Sequence, residues 1–143
     1  MYESILVATD GSEAATEATA HAIELAQRFD ATLYGIAVLE SRTEYDNAIV
    51  DPEEVTRRQR ERAETTLGAV EDAADDAGVT VETAVRSGVP AEEILAYAAE
   101  TDVDAIVIGA RGRSSFQGAI LGSTIDRIVR SATRPVLIAG NDR

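Results

Sequence analysis

Five short apolar runs alternate along the chain with four segments of helical periodicity. The runs predict strands at residues 4–9, 32–39, 79–85, 105–108 and 134–140. Helices are expected to begin after Ser12, at Pro52, at Pro90 and at about Gly122. Each connection is long enough for a helical crossover, so we expect an α/β fold with a doubly wound five-stranded parallel sheet, strand order 3-2-1-4-5, and helices on both faces. Residues 1–143 are expected to form one domain.

The composition narrows the class of protein. The chain has no cysteine, which excludes disulfides and thiolate chemistry and disfavours structural zinc. It has no lysine and a net charge of −13, a surface typical of proteins from a cytosol of very high salt; general acidity with chance loss of lysine is the alternative. Nonspecific nucleic-acid binding is disfavoured. No apolar run approaches the ~20 residues of a membrane span and no signal peptide is evident, so a cytoplasmic location is expected.

The stretch after the fourth apolar run has the pattern of a phosphate cradle. Gly109 ends the strand, Gly112 lies in the loop, and Gly122, Ser123 and Thr124 open the next helix. Glycines let the backbone approach an anion, and the unpaired N–H groups of the helix N-terminus face it. This is not a Walker loop, because the required lysine is absent. An ordinary glycine-containing turn between a strand and a helix is the alternative.

The charge distribution supports the cradle. Residues 1–103 carry seven arginines against 23 acidic residues, whereas residues 104–143 carry six arginines against three. The basic segment therefore coincides with the glycine-rich stretch. The run at residues 57–62 is most simply a solvated helix face, with phosphate binding as the alternative, and His21 is interpreted as a partly exposed helix residue rather than a base.

In a doubly wound sheet, ligands bind beyond the carboxyl ends of the strands where the crossovers change direction. In the order 3-2-1-4-5 that crevice lies between strand 1, which ends at Thr9 and Asp10, and strand 4, which ends at Gly109. A bound phosphate would repel the Asp10 carboxylate unless Asp10 binds hydroxyl groups of the ligand or a divalent metal. The alternative role of Asp10 is an Asx turn with Ser12, and both roles are compatible.

The glycine spacing G-x2-G-x9-G-[S/T] resembles the ATP-binding signature of the universal stress protein family, with every fixed position filled. Three further segments resemble the family: Val7–Ser12 at the end of the first strand, Gly88–Pro90 before the third helix, and Arg134–Ile138 at the last strand. The resemblance covers essentially the full chain.

The resemblance implies a Rossmann-like adenine-nucleotide-binding sandwich that holds ATP, or another adenine nucleotide, with Mg²⁺. It places adenine near Ala8 and the backbone of Val38, and ribose near Asp10, which would also reach the metal carried by ATP. Phosphates are placed on the glycine stretch. The full set of implied binding residues is Ala8, Thr9, Asp10, Val38, Gly109, Arg111, Gly112, Arg113, Gly122, Ser123 and Thr124.

The resemblance also implies a homodimer through the C-terminal strand at residues 135–140, an apolar edge that would otherwise stay unprotected. The alternative to a dimer is a short edge strand that Pro135 and the polar C-terminal residues protect from pairing. The expected function is a nucleotide-dependent stress-response or signalling module with an unknown signalling partner. The alternative is a slow ATP hydrolase or phosphotransferase using the same pocket. No catalytic residue is assigned, because the chain has no lysine and no histidine near the cradle.

Overall fold

The computed structural model describes residues 2–40, 52–110 and 122–140, where strands and helices alternate. The strands are β1 (Ser4–Ala8), β2 (Thr32–Glu40), β3 (Val81–Gly88), β4 (Ala105–Gly109) and β5 (Val136–Ala139). The helices are α1 (Glu13–Phe29), α2 (Pro52–Asp76), α3 (Pro90–Thr101) and α4 (Gly122–Ser131). Among the helices of the described ranges, none has the length and apolar character that a membrane span requires.

The strands form one sheet in the order β3-β2-β1-β4-β5, and every neighbouring pair is parallel. The predicted fold class and strand order are therefore confirmed. The predicted third strand, residues 79–85, was wrong at both ends, since β3 runs from Val81 to Gly88. Its later end follows from pairing with the long β2, whose last residue Glu40 lies opposite Gly88.

The sheet is covered on both faces, because alternate side chains of a strand point to opposite sides. On one face Ile5, Val7 and Leu33 pack against alanines of α1 and the apolar side of α2. On the other face Leu6 and Ile106 pack with buried residues of α3 and α4. The central strands are therefore apolar at consecutive positions, as is typical of parallel sheets.

Local residues explain where the helices begin and end. The Ser12 hydroxyl accepts a hydrogen bond from the Ala15 N–H at 3.1 Å and caps α1, as predicted. Pro52 and Pro90 occupy the first turns of α2 and α3, where a missing N–H costs nothing. α1 and α3 both end at an aspartate in the left-handed conformation, Asp30 (φ 58°) and Asp102 (φ 53°).

Candidate functional site

The carboxyl ends of β1 and β4 lie side by side at the centre of the sheet. Ala8, the last residue of β1, is in register with Ile108, and β4 ends one residue later at Gly109. Beyond this pair the Thr9 N–H donates to the Ile36 carbonyl at 3.0 Å, and the Ala110 N–H donates to the Ala139 carbonyl at 2.9 Å. The crossovers from these strands go to opposite faces, so this is the switch point where doubly wound sheets bind ligands.

The β1–α1 turn is a compact set of hydrogen bonds. The Asp10 Oδ1 accepts from the Ser12 N–H at 3.0 Å, and the Thr9 Oγ1 accepts from the Gly11 N–H at 3.2 Å. Gly11 has a φ of 83°, a left-handed conformation that favours glycine. The Asx turn proposed for Asp10 is therefore present, and the Asp10 side chain is exposed at the carboxyl edge of the sheet.

Gly109 is required by packing at the end of β4. A Cβ on Gly109 would lie 2.6 Å from the carbonyl carbon and oxygen of Ala14, in the first turn of α1. Backbone atoms of a packed helix cannot move aside cheaply, so only glycine permits this approach. The absence of a side chain brings the start of α1 against the end of β4, and both border the same crevice.

The N-terminus of α4 has a different character. Gly122 has a φ of 66°, and a Cβ added there would meet no atom of the described residues within 4 Å. Ser123 is exposed and Thr124 is half-buried. The helix is held by the buried Ile125 and Ile128, which belong to the same apolar cluster as Ile108 at the end of β4. The first-turn N–H groups of α4 are the donors that an anion site at this end of the helix would use.

The carboxyl edge of the sheet has a step beside the crevice. Ala8, the last residue of β1, is in register with Ile36, yet β2 continues to Glu40. A parallel strand rises about 3.3 Å per residue, so the four residues of β2 after Ile36 extend roughly 13 Å beyond the end of β1. β3 follows β2 to its end. Val38 lies on this extension, half-buried against the cluster that contains Ala8 and Ile36.

The comparisons with known proteins agree on one family. The sequence model of the universal stress protein family matches residues 1–140. A universal stress protein of Methanocaldococcus jannaschii is 34% identical over 148 residues, covering 96% of this chain and 82% of that protein. The chain belongs to the universal stress protein family.

Solved structures of the family share the fold. Universal stress protein UspA from Lactobacillus plantarum superposes with a TM-score of 0.79 at 28% identity, covering 96% of this chain and 97% of that one. A second universal stress protein, solved in complex with cAMP, superposes with a TM-score of 0.71 at 25% identity, covering 97% of each chain. The described strand order is that of these relatives.

The predicted site residues of this universal stress protein divide into three groups. The end of β1 and the end of β4 bring together Ala8, Thr9, Asp10 and Gly109 at the switch point. Val38 stands on the extension of β2, and the first residues of α4 are Gly122, Ser123 and Thr124. The predicted loop residues Arg111, Gly112 and Arg113 lie outside the described residues.

A metal at this site would depend on the ligand. In residues 2–40, 52–110 and 122–140, no group of three or more His, Cys, Asp or Glu side chains could hold a metal ion. Asp10 offers a single carboxylate at the crevice. Mg²⁺ commonly binds through one or two carboxylates together with substrate phosphates and water, so Asp10 fits a metal delivered with a nucleotide. His21 is exposed on α1.

Sequence reasoning missed an arginine beside the step. Arg86 is in register with Val38, and its guanidinium donates to Glu93 Oε1 at 3.3 Å and to Glu100. Its Cζ lies 5.2 Å from the ring centroid of Tyr97. The hydrogen bond to Glu100, followed by that to Glu93, holds the pKa of Arg86 above its usual range. The network ties the end of β3 to α3 and so fixes the β2–β3 extension.

Proposed function

We propose that this universal stress protein binds ATP, together with Mg²⁺, in the crevice between β1 and β4, and that nucleotide occupancy sets its conformation or its partners in a stress response. One observation carries the proposal: Asp10 follows the end of β1 and Gly109 ends the neighbouring β4, and the crossovers from these two strands go to opposite faces of the sheet. The glycine spacing of the family's ATP-binding signature supports ATP as the nucleotide. The relative in complex with cAMP supports an adenine nucleotide as the ligand class.

The first test is whether the purified protein carries a bound nucleotide. Acid extraction of the purified protein, followed by chromatography of the extract, should release an adenine nucleotide. Titration calorimetry with ATP, AMP and cAMP then ranks the ligands. A protein that neither retains nor binds any adenine nucleotide would refute the proposal. These measurements belong in high salt, where we expect an acidic chain with a net charge of −13 to be most stable.

The phosphate cradle is tested by Gly122→Val, for which Gly78→Val is a matched control. Both glycines are left-handed, with φ of 66° and 76°, and a Cβ added to either meets no atom of residues 2–40, 52–110 and 122–140 within 4 Å. The two substitutions therefore impose similar backbone strain, but Gly78 lies at the C-terminal end of α2, away from the crevice. We expect Gly122→Val to abolish ATP binding and Gly78→Val to preserve it. Equal affinities would show that the cradle is misassigned.

Binding without rapid turnover distinguishes a nucleotide sensor from a slow hydrolase. Asp10 is the one candidate base at the described part of the crevice, and its Oδ1 already accepts a hydrogen bond from the Ser12 N–H. That arrangement favours a ligand-binding role. Phosphate release in the presence of Mg²⁺ should stay close to the uncatalysed rate. Rapid turnover would show that the protein is an enzyme that uses this pocket and not a nucleotide sensor.

We further propose a homodimer through β5. This strand pairs with β4 along one edge, and its Leu137 and Ile138 are 42% and 38% exposed. An apolar edge strand is a ready template for pairing with a second copy. Leu137→Arg should shift the protein to a monomer in analytical ultracentrifugation. Val89→Arg, at a valine 47% exposed before α3, is the matched control and should leave the dimer intact. A monomeric parent protein would refute the dimer.

A further inference from the structure

The N-terminal turns of α2 extend beyond the β1–α1 turn. A Cβ placed on Gly11 would lie 3.1 Å from the Oγ1 of Thr66. The Thr66 side chain therefore lies at the same level as the β1–α1 turn. Just below, Leu67 packs with Ala37 of β2. α2 runs from the carboxyl edge of the sheet towards the amino edge, because it connects two parallel strands. Every residue of α2 before Thr66 therefore stands farther out, on the side of the crevice.

Arg62 lies on the face of α2 that is turned to the crevice. It precedes Thr66 by four residues, a spacing that places both on one face of a helix. Helical side chains lean towards the helix N-terminus, so the Arg62 side chain extends outward, beyond the level of Gly11. The side chain is exposed. A cation is thus carried above the turn that contains Asp10.

Two neighbouring arginines of α2, Arg57 and Arg58, are neutralised within the helix, whereas Arg60 and Arg62 have no ion pair among the described residues. Arg57 donates to Glu54 at 2.5 Å and to Glu61 at 2.7 Å, and Arg58 donates to Glu54 at 3.2 Å. Within the part of the chain that the structure describes, Arg62 has no ion pair. Its neighbours three and four residues away include no carboxylate: they are Arg58, Gln59, Thr65 and Thr66. No carboxylate of the described residues therefore competes with an external anion for Arg62.

We propose that Arg62 contacts the phosphates of the bound nucleotide from the α2 side of the crevice, opposite the N-terminus of α4. The inference rests on the proposed nucleotide-binding function and adds a recognition residue to the same site. A guanidinium presents paired N–H donors that match phosphate oxygens, which a neutral side chain of similar size does not. Arg62 would therefore make the site discriminate between a nucleotide and an uncharged nucleoside.

The test compares Arg62→Gln with Arg60→Gln, an exposed arginine two residues away on another face of the same helix. Affinities for ATP and for adenosine are measured by titration calorimetry at one salt concentration. We expect Arg62→Gln to weaken ATP binding about tenfold, which is about 1.4 kcal/mol, and to leave adenosine binding unchanged. Arg60→Gln should change neither affinity, and Arg62→Lys should restore part of the loss for ATP.

The outcomes separate this inference from the proposed function. If the parent protein binds ATP and Arg62→Gln binds it equally well, the inference alone is overturned. A matched loss for ATP and adenosine would assign Arg62 a structural role, such as pairing with Asp10, and would also overturn it. If the parent protein binds neither ligand, the proposed function fails and the inference fails with it. Circular dichroism melting of each variant confirms that the fold is retained.

Discussion

The contact between β4 and α1 gives the sharpest prediction about stability. Gly109→Ala adds one methyl group at a buried position where its Cβ would lie 2.6 Å from the Ala14 carbonyl carbon and oxygen and 3.0 Å from the Ala14 Cβ. Gly68→Ala is the matched control, since Gly68 lies inside α2 and an added Cβ meets no atom within 4 Å in the part of the chain that the structure describes. The same methyl group is thus added at Gly109 against the backbone of α1 and at Gly68 where no described atom lies close.

The two substitutions should shift stability in opposite directions. Inserting a methylene-sized group into a packed site costs about 1–3 kcal/mol, and Gly109→Ala should lie at the upper end because the opposing atoms are backbone. Gly68→Ala should stabilise the protein by about 0.5–1 kcal/mol, since glycine in a helix interior costs conformational entropy. For a chain of this size, each kcal/mol shifts Tm by roughly 2–4 °C.

The assay is thermal and urea unfolding followed by circular dichroism. We expect the Tm of Gly109→Ala to fall by roughly 6–12 °C and that of Gly68→Ala to rise by a few degrees. If Gly109→Ala melts at the same temperature as the parent protein, α1 does not pack against β4 as described. The explanation of Gly109 as a packing glycine would then be withdrawn, leaving an anion-binding role as its remaining reason.

Three further predictions concern the cap of α1, a buried tyrosine and the surface charge. Ser12→Ala removes the side-chain acceptor for the Ala15 N–H and should cost about 1 kcal/mol in urea unfolding, whereas Ser12→Asp should retain most of that stability. Burial raises the pKa of Tyr97, so the unfolded chain loses this proton first and stability should fall as the pH rises above about 10; Tyr97→Phe should flatten that slope. Added KCl should raise Tm, because it screens the repulsion of a net charge of −13, and a Tm independent of salt would contradict this.

Local signals in the sequence were sufficient for most of the architecture. Three helix N-termini were predicted from a capping residue or from the fixed φ of a proline, at Ser12, Pro52 and Pro90. The structure has helices that begin at or just after these residues. The end of β3 was mispredicted, because Ser87 and Gly88 have turn-forming composition. Their pairing with Leu39 and Glu40 keeps them extended, and that tertiary contact overrides local preference.

The site shows the same division between local and tertiary signals. The glycine spacing marked Gly109 and Gly122, but it could not show that Gly109 meets Ala14, which is distant in sequence. The arrangement of Arg86 with Glu93 and Glu100 depends on how α3 packs against β3, so no motif announced it. Arg62 was grouped with a solvated arginine run. Arg57 and Arg58 are paired within α2. Position against the β1–α1 turn separates Arg62 from Arg60, which lies on another face of the helix.

The left-handed aspartates that end α1 and α3 make stability and ligand binding separately adjustable. Asp30 and Asp102 lie just before β2 and β4 begin, at the edge of the sheet opposite the crevice. A residue with a Cβ in this conformation costs roughly 1 kcal/mol that glycine would not. We therefore expect Asp30→Gly to raise the thermostability, whereas Asp102→Gly would also remove the ion pair of Asp102 with Arg134 at 3.7 Å. Neither substitution touches a residue at the carboxyl edge. Engineering of the fold and engineering of its specificity can proceed at opposite ends of the same sheet.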